Sequence, residues 1–120
     1  MNLVFVETPD FARQRERYLD DQGFLRLQTA LLRAPGAGTV VPGTGGLRKL
    51  RWADTRRGTG KRGGLRIWYC HLPDNGEIWF FTVYDKGEVK DLTPREKALL
   101  RVAVDTELSQ RRRTPSCRLA

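Results

Sequence analysis

The chain is poor in three things that would announce a chemistry or an address. It has one histidine, His71, two cysteines, Cys70 and Cys117, and no long apolar run. A lone histidine leaves no histidine-pair nuclease mechanism, and no ligand cluster gives a metal site; neither a metal nor any other cofactor is expected. Two cysteines far apart make no disulfide framework, and two reduced thiols in a cytoplasmic protein is the better reading. No stretch approaches the ~20 apolar residues of a membrane span. The run Leu3–Val6 is too short for a signal-peptide core and lacks a basic start.

Charge is missing from two regions. Residues 35–47 carry none, and residues 1–34 balance five basic against five acidic groups. What is present is therefore concentrated. Between Arg48 and Arg66 stand eight cations against a single acid, Asp54, a local charge of +7 in a chain whose total is +8. Residues 67–110 are net acidic, and the last ten residues add four arginines. Charge gathered in a patch repels itself, and its natural counter-charge is a polyanion, most often nucleic acid.

At 120 residues the chain suits one domain, with residues 1–109 in the fold and 110–120 a basic, disordered tail. LVFV at 3–6 reads as a short buried strand. Thr8-Pro9 starts a helix over 9–20, with Phe11, Tyr18 and Leu19 on its apolar side. Asp20-Asp21 breaks it or caps a second helix, in which Phe24, Leu27 and Leu31 recur at helical spacing until Pro35-Gly36. A glycine-rich connection from Gly36 to Gly46 offers little to a core. Three strands follow at about 47–53, 65–72 and 77–84; a basic loop over 55–64 joins the first two, and a tight Asn75-Gly76 hairpin joins the second and third. Thr93-Pro94-Arg95-Glu96 is a capping box that opens the last helix, whose apolar side is Leu99, Leu100, Val102, Ala103 and Val104. The order β-α-α-β-β-β-α makes an α+β domain with a mostly antiparallel sheet.

Strand side chains alternate between faces. Strict alternation puts Leu50, Trp52, Ile67, Tyr69, Trp79, Phe81 and Val83 under the helical hairpin, with His71 as a structural histidine on that side. The opposite face gathers Lys49, Arg51, Arg66 and Tyr84, with Lys86 following, while Trp68 and Phe80 need cover from the last helix. Such a face fits a phosphodiester: arginine binds phosphate oxygens through paired hydrogen bonds, lysine acts as a point charge, and a tyrosine stacks a base or handles a proton. A lysine crowded by cations becomes a possible base, with Lys49 first and Lys86 second. Gly58-Thr59-Gly60-Lys61 is not a P-loop, because Thr55 and Arg62 stand where glycine and Ser/Thr are needed. Asp85, Glu88 and Asp91 read as turn and helix-start residues. Arg48 has the parity of the helix-covered side.

Four ordered motifs carry a family resemblance: VFVET at 4–8, GTGGLRKLRWA at 43–53, GTGKRGGLRIWY at 58–69 and YDKGEVKDLT at 84–93. With the helical hairpin between them, the chain resembles the HigB-like toxins of the RelE/ParE superfamily, from type II toxin–antitoxin systems, over about residues 2–108. The resemblance implies a RelE-like fold and a ribosome-dependent endoribonuclease, an mRNA interferase. Such toxins cut mRNA in the ribosomal A site by attack of a ribose 2′-hydroxyl on the adjacent phosphate, without a metal. Carried over by motif, the catalytic residues are Lys49, Arg51, Arg66, Tyr84 and Lys86. Arg56, Arg57, Lys61 and Arg62 would bind RNA and the ribosome. The implied partners are the ribosome with its mRNA and a cognate antitoxin with a helix-turn-helix region; no membrane is implied. Many of these toxins carry a tyrosine or histidine near the C-terminus, and residues 105–120 here contain neither. Two other functions use the same features: a same-fold toxin that acts on DNA gyrase, and a nucleic-acid-binding module without catalysis.

Overall fold

The computed structural model describes residues 3–53, 64–88 and 91–111, apart from the side chains at 107, 108, 110 and 111. The elements are β1 (Val4–Glu7), α1 (Pro9–Tyr18), α2 (Asp21–Arg33), β2 (Thr39–Val40), β3 (Arg48–Trp52), β4 (Leu65–Leu72), β5 (Glu77–Asp85) and α3 (Pro94–Arg111), with a 3-10 turn over Pro73–Asn75. The strands form one open mixed sheet in the order β1-β5-β4-β3-β2, in which only the β1–β5 pairing is parallel. This is an α+β fold. Among the described residues no helix is long and apolar enough to cross a membrane. The expected basic loop, with Arg56, Arg57, Lys61 and Arg62, lies outside the described residues except for Gly64, as does the expected tail beyond Arg111. Residues 110 and 111, expected in that tail, still belong to α3.

Each helix starts where a side chain meets the free amides of its first turn. Thr8 Oγ1 accepts from the Phe11 amide at 3.3 Å, with Pro9 in the first helical position. Asp20 Oδ1 accepts from the Gly23 amide at 2.7 Å, so Asp20 both follows α1 and caps α2. At α3 the capping box closes in both directions: Thr93 Oγ1 accepts from the Glu96 amide at 3.1 Å, and the Thr93 amide donates to Glu96 Oε1 at 2.8 Å.

The helical hairpin packs Phe11, Tyr18, Leu19, Phe24, Leu27 and Leu31 against Leu65, Ile67, Tyr69, Ile78, Phe80 and Val83. Phe80 is the hub, with ring centroids 4.8 Å from Phe11, 5.5 Å from Phe24 and 5.9 Å from Phe5. A second core on the other face holds Val41, Leu47, Trp68, Cys70, Leu72, Trp79, Phe81, Tyr84 and Val104. Strict alternation along β5 fails here. Trp79 and Phe81 lie away from the hairpin, and Phe80 lies under it. The cause is a bulge: Trp68 pairs with Thr82 but Tyr69 pairs with Phe80, so Phe81 is skipped and the residues before it change face. Val83 and Tyr84, beyond the bulge, keep their expected faces.

The glycine-rich connection contributes more than expected. It holds the two-residue edge strand β2, paired with β3, and it sends Val41 into the second core. Buried Thr44 closes the turn between them, donating to the Val41 carbonyl at 2.6 Å and accepting from the Leu47 amide at 3.1 Å. Gly43, Gly45 and Gly46 supply the positive φ that this turn needs. α3 covers less than expected. Val104 is buried and Leu100 partly so, but Leu99 and Val102 are about 60% exposed. Five apolar residues within six positions of a helix span more than one full turn, so they cannot share one face.

Candidate functional site

Register fixes the centre of the site before any side chain is considered. Arg51 is paired with Arg66, and Arg66 with Tyr84, so these three form a row across β3, β4 and β5. Lys49 stands two residues from Arg51 on the same face, beside Trp68. Like charges directly opposite each other destabilise a sheet. Two arginines in that relation are therefore arranged against the stability of the sheet. Lys86 follows β5 in a turn whose amide donates to the Gly64 carbonyl at 2.7 Å.

All five residues expected from the sequence line one cleft of about 550 Å³, together with Ala37, Thr39, Leu50 and Asp91. That volume lies within the roughly 300–1,000 Å³ of small-ligand sites. Among the described residues the lining holds four cations and a single carboxylate. Arg66 is the deepest of the cations, only 8% exposed, and its Nη1 donates to the Leu65 carbonyl at 3.1 Å. Arg51 and Lys86 are exposed at the rim.

Tyr84 is 5% exposed and its ring belongs to the second core, so its hydroxyl rather than an open ring face is what it offers a ligand. The Trp68 indole N–H donates to that hydroxyl oxygen at 3.2 Å, which leaves the phenol proton to be given elsewhere. Burial raises the Tyr84 pKa and Asp91 and Glu96 add to the rise, against the Trp68 hydrogen bond and Arg66. Tyr84 is thus a phenol throughout the neutral range, a donor and not a base.

Lys49 is not surrounded by cations alone, as the sequence suggested. Its ammonium lies 3.6 Å from Asp91 Oδ1 and 5.6 Å from the centre of the Trp68 ring. Asp91 is also 3.6 Å from Lys97 in the first turn of α3, and its Oδ1 accepts from the Leu92 amide at 2.8 Å. Burial opposes ionisation of Asp91, but the Leu92 amide, Lys49 and Lys97 outweigh it and hold the carboxyl below the usual range.

Two corrections to the sequence reading concern what belongs to the site. Asp91, set aside as a helix-start residue, lines the cleft, and no local spacing in the sequence marks it. Ala37 and Thr39 were missed because a two-residue strand has no periodicity to read. Arg48 is absent from the lining: it is buried on the hairpin side and donates from Nη1 to the carbonyls of Gly38 at 2.8 Å and Gly36 at 3.3 Å, where α2 has ended. His71 is half-buried, and burial with help from Arg48 lowers its pKa, in keeping with a structural role. Among the described residues no group of three His, Cys, Asp or Glu side chains comes together as a metal site. No protein-family model matches the sequence. Among the described residues the chemistry available to the cleft is that of guanidinium, ammonium and phenol groups with one carboxylate, a set suited to an anion.

Proposed function

We propose that this chain is the toxin of a type II toxin–antitoxin pair, of the HigB-like branch of the RelE/ParE superfamily, and that it cuts mRNA in the ribosomal A site. The observation that carries the reading is the convergence of Lys49, Arg51, Arg66, Tyr84 and Lys86 in one cleft. The helical hairpin over an antiparallel meander supports a RelE-like fold. In this reading Arg51 and Arg66 hold the non-bridging phosphate oxygens and offset the charge that builds on them in the transition state. The ribose 2′-oxygen bonds to phosphorus as its proton leaves, and the bond from phosphorus to the 5′-oxygen breaks. The products are a 2′,3′-cyclic phosphate and a 5′-hydroxyl, with no water or redox partner consumed.

Lys49, with a carboxylate beside it, enters as an ammonium and is the donor for the departing 5′-oxygen. This moves the base role to Lys86, which makes no ion pair among the described residues. Tyr84 gives its proton in a hydrogen bond to the phosphate. The loop with Arg56, Arg57, Lys61 and Arg62 would grip ribosomal RNA, and a helix-turn-helix antitoxin would hold the toxin inactive in the cytoplasm.

Inducing the chain alone and mapping mRNA ends on and off ribosomes tests this. Growth arrest with new 5′-hydroxyl ends on ribosome-bound mRNA is expected, and the Arg66→Ala and Lys86→Ala double variant should relieve it while still folding. Full toxicity of that variant overturns the site. Arrest with intact mRNA and DNA damage points instead to gyrase, and salt-sensitive RNA binding without toxicity to a binding module.

A further inference from the structure

A carboxylate is out of place in a cleft for phosphate, yet Asp91 lines this one, the sole acid on the lining among the described residues. Its charge repels the ligand that the four cations attract, so it weakens binding. Capping α3 does not account for it, because Thr93 and Glu96 already satisfy that helix start between them. What Asp91 does touch is Lys49 on β3 and Lys97 on α3, each at 3.6 Å, with the Leu92 amide fixing the carboxylate at 2.8 Å. On the sheet beside Lys49 the Trp68 ring, held by its indole hydrogen bond to Tyr84, gives the ammonium a second contact. A lysine left to itself samples many rotamers. This one has a partner on each of two sides.

We infer that Asp91 is a positioning residue, which fixes the Lys49 ammonium in the cleft, and that Lys97 braces Asp91 from the first turn of α3. The inference rests on reading the cleft as an RNA-cleaving site. Asp91 acts through Lys49 and lowers affinity for the phosphate in order to hold the donor at the leaving oxygen. This has a signature that a merely structural residue lacks: its removal should slow the reaction without weakening binding.

The test uses the full chain on programmed ribosomes, with single-turnover cleavage followed across protein concentration. Binding is measured separately on a short RNA with a 2′-deoxy nucleotide at the cut position. Asp91→Asn should lower the saturating cleavage rate on the order of 10- to 100-fold, the scale of a misplaced reacting group. Its affinity for the uncleavable RNA should be unchanged or tighter. Asp91→Glu should recover part of the rate, and Lys97→Met should show a smaller loss of the same kind. An Asp91→Asn protein with the wild-type saturating rate, or with weakened RNA binding, overturns the inference. So does an equal loss in Asp91→Asn and Asp91→Glu accompanied by a lower melting temperature, which would make the residue structural. Wild-type protein that leaves RNA intact overturns the proposed function and takes this inference with it; the blank wild-type arm distinguishes that case.

Discussion

Arg48 and Arg66 both stand in the basic stretch, both are 8% exposed, and they face opposite sides of the sheet. The guanidinium of Arg48 ties the carbonyls of Gly36 and Gly38 across the end of the hairpin, whereas Arg66 lines the cleft. Replacing Arg48 with Leu keeps the bulk and strands two carbonyls. We expect it to cost about 1–3 kcal/mol of stability in a urea melt. On the proposed function, the slope of RNA affinity against salt concentration should stay as in the wild type, because Arg48 is not part of the cleft lining; a shallower slope would place it in the binding surface. Net charge read from the sequence could not make this distinction. Alternation along β3 could, and it assigned Arg48 to the covered side while placing Lys49 and Arg51 on the open one.

At the scale of elements, the entry to β2 is set by contact rather than by pattern. A Cβ added to Gly38 would lie 2.9 Å from the Tyr69 ring and 3.1 Å from both the Arg48 Cβ and the Lys49 carbonyl. The ring cannot give way easily, since its hydroxyl donates to the Pro35 carbonyl at 2.7 Å and accepts from the Gly38 amide at 2.9 Å. Gly38→Ala should therefore cost about 1–3 kcal/mol, seen as a lower melting temperature. On the proposed function it should also weaken RNA binding, because Thr39 next to it is part of the cleft wall. An unchanged melting temperature would show that the loop shifts freely. This close approach explains what could and could not be read in advance. The helices were legible because their caps and apolar spacing are local, and β4 because its side chains go by turns to the two cores, Leu65, Ile67 and Tyr69 to one and Trp68, Cys70 and Leu72 to the other. The bulge at Phe81 was not, because skipping one residue is decided by the partner strand. The cleft was nonetheless found, since Lys49, Arg51, Arg66 and Tyr84 all lie where alternation still holds. Asp91 was passed over because its ion pairs join Lys49 of β3 to Lys97 of α3, a meeting that no spacing within either element encodes.

For the whole molecule, the titrating groups bound the range in which the fold is stable. Burial raises the pKa of all three tyrosines, Tyr18, Tyr69 and Tyr84. Above about pH 10 the unfolded chain therefore loses its phenolic protons first, holds fewer than the folded chain, and stability falls as pH rises. His71 is held neutral by burial, so below about pH 6.5 the unfolded chain takes up that proton first and stability falls with acid. Asp91 adds stability above about pH 4 that is lost as pH drops through its lowered folded value. Urea midpoints measured across pH should form a plateau from near neutrality to about pH 9, declining on both sides. A midpoint that keeps rising into alkali would mean that the tyrosines are less enclosed than the packing indicates.

The parallel pairing of β1 with β5 has a consequence in time. Val4 meets Glu77 and Glu7 meets Phe80, so β1 waits for a strand that is synthesised well after it. Tyr84, Lys86 and Asp91 come later still. A polypeptide emerging in order has no edge for β1 to join until β5 has been made, and no finished cleft until the chain has passed Asp91. Whatever this cleft takes up, it cannot do so before the strands that wall it have left the machine that makes them.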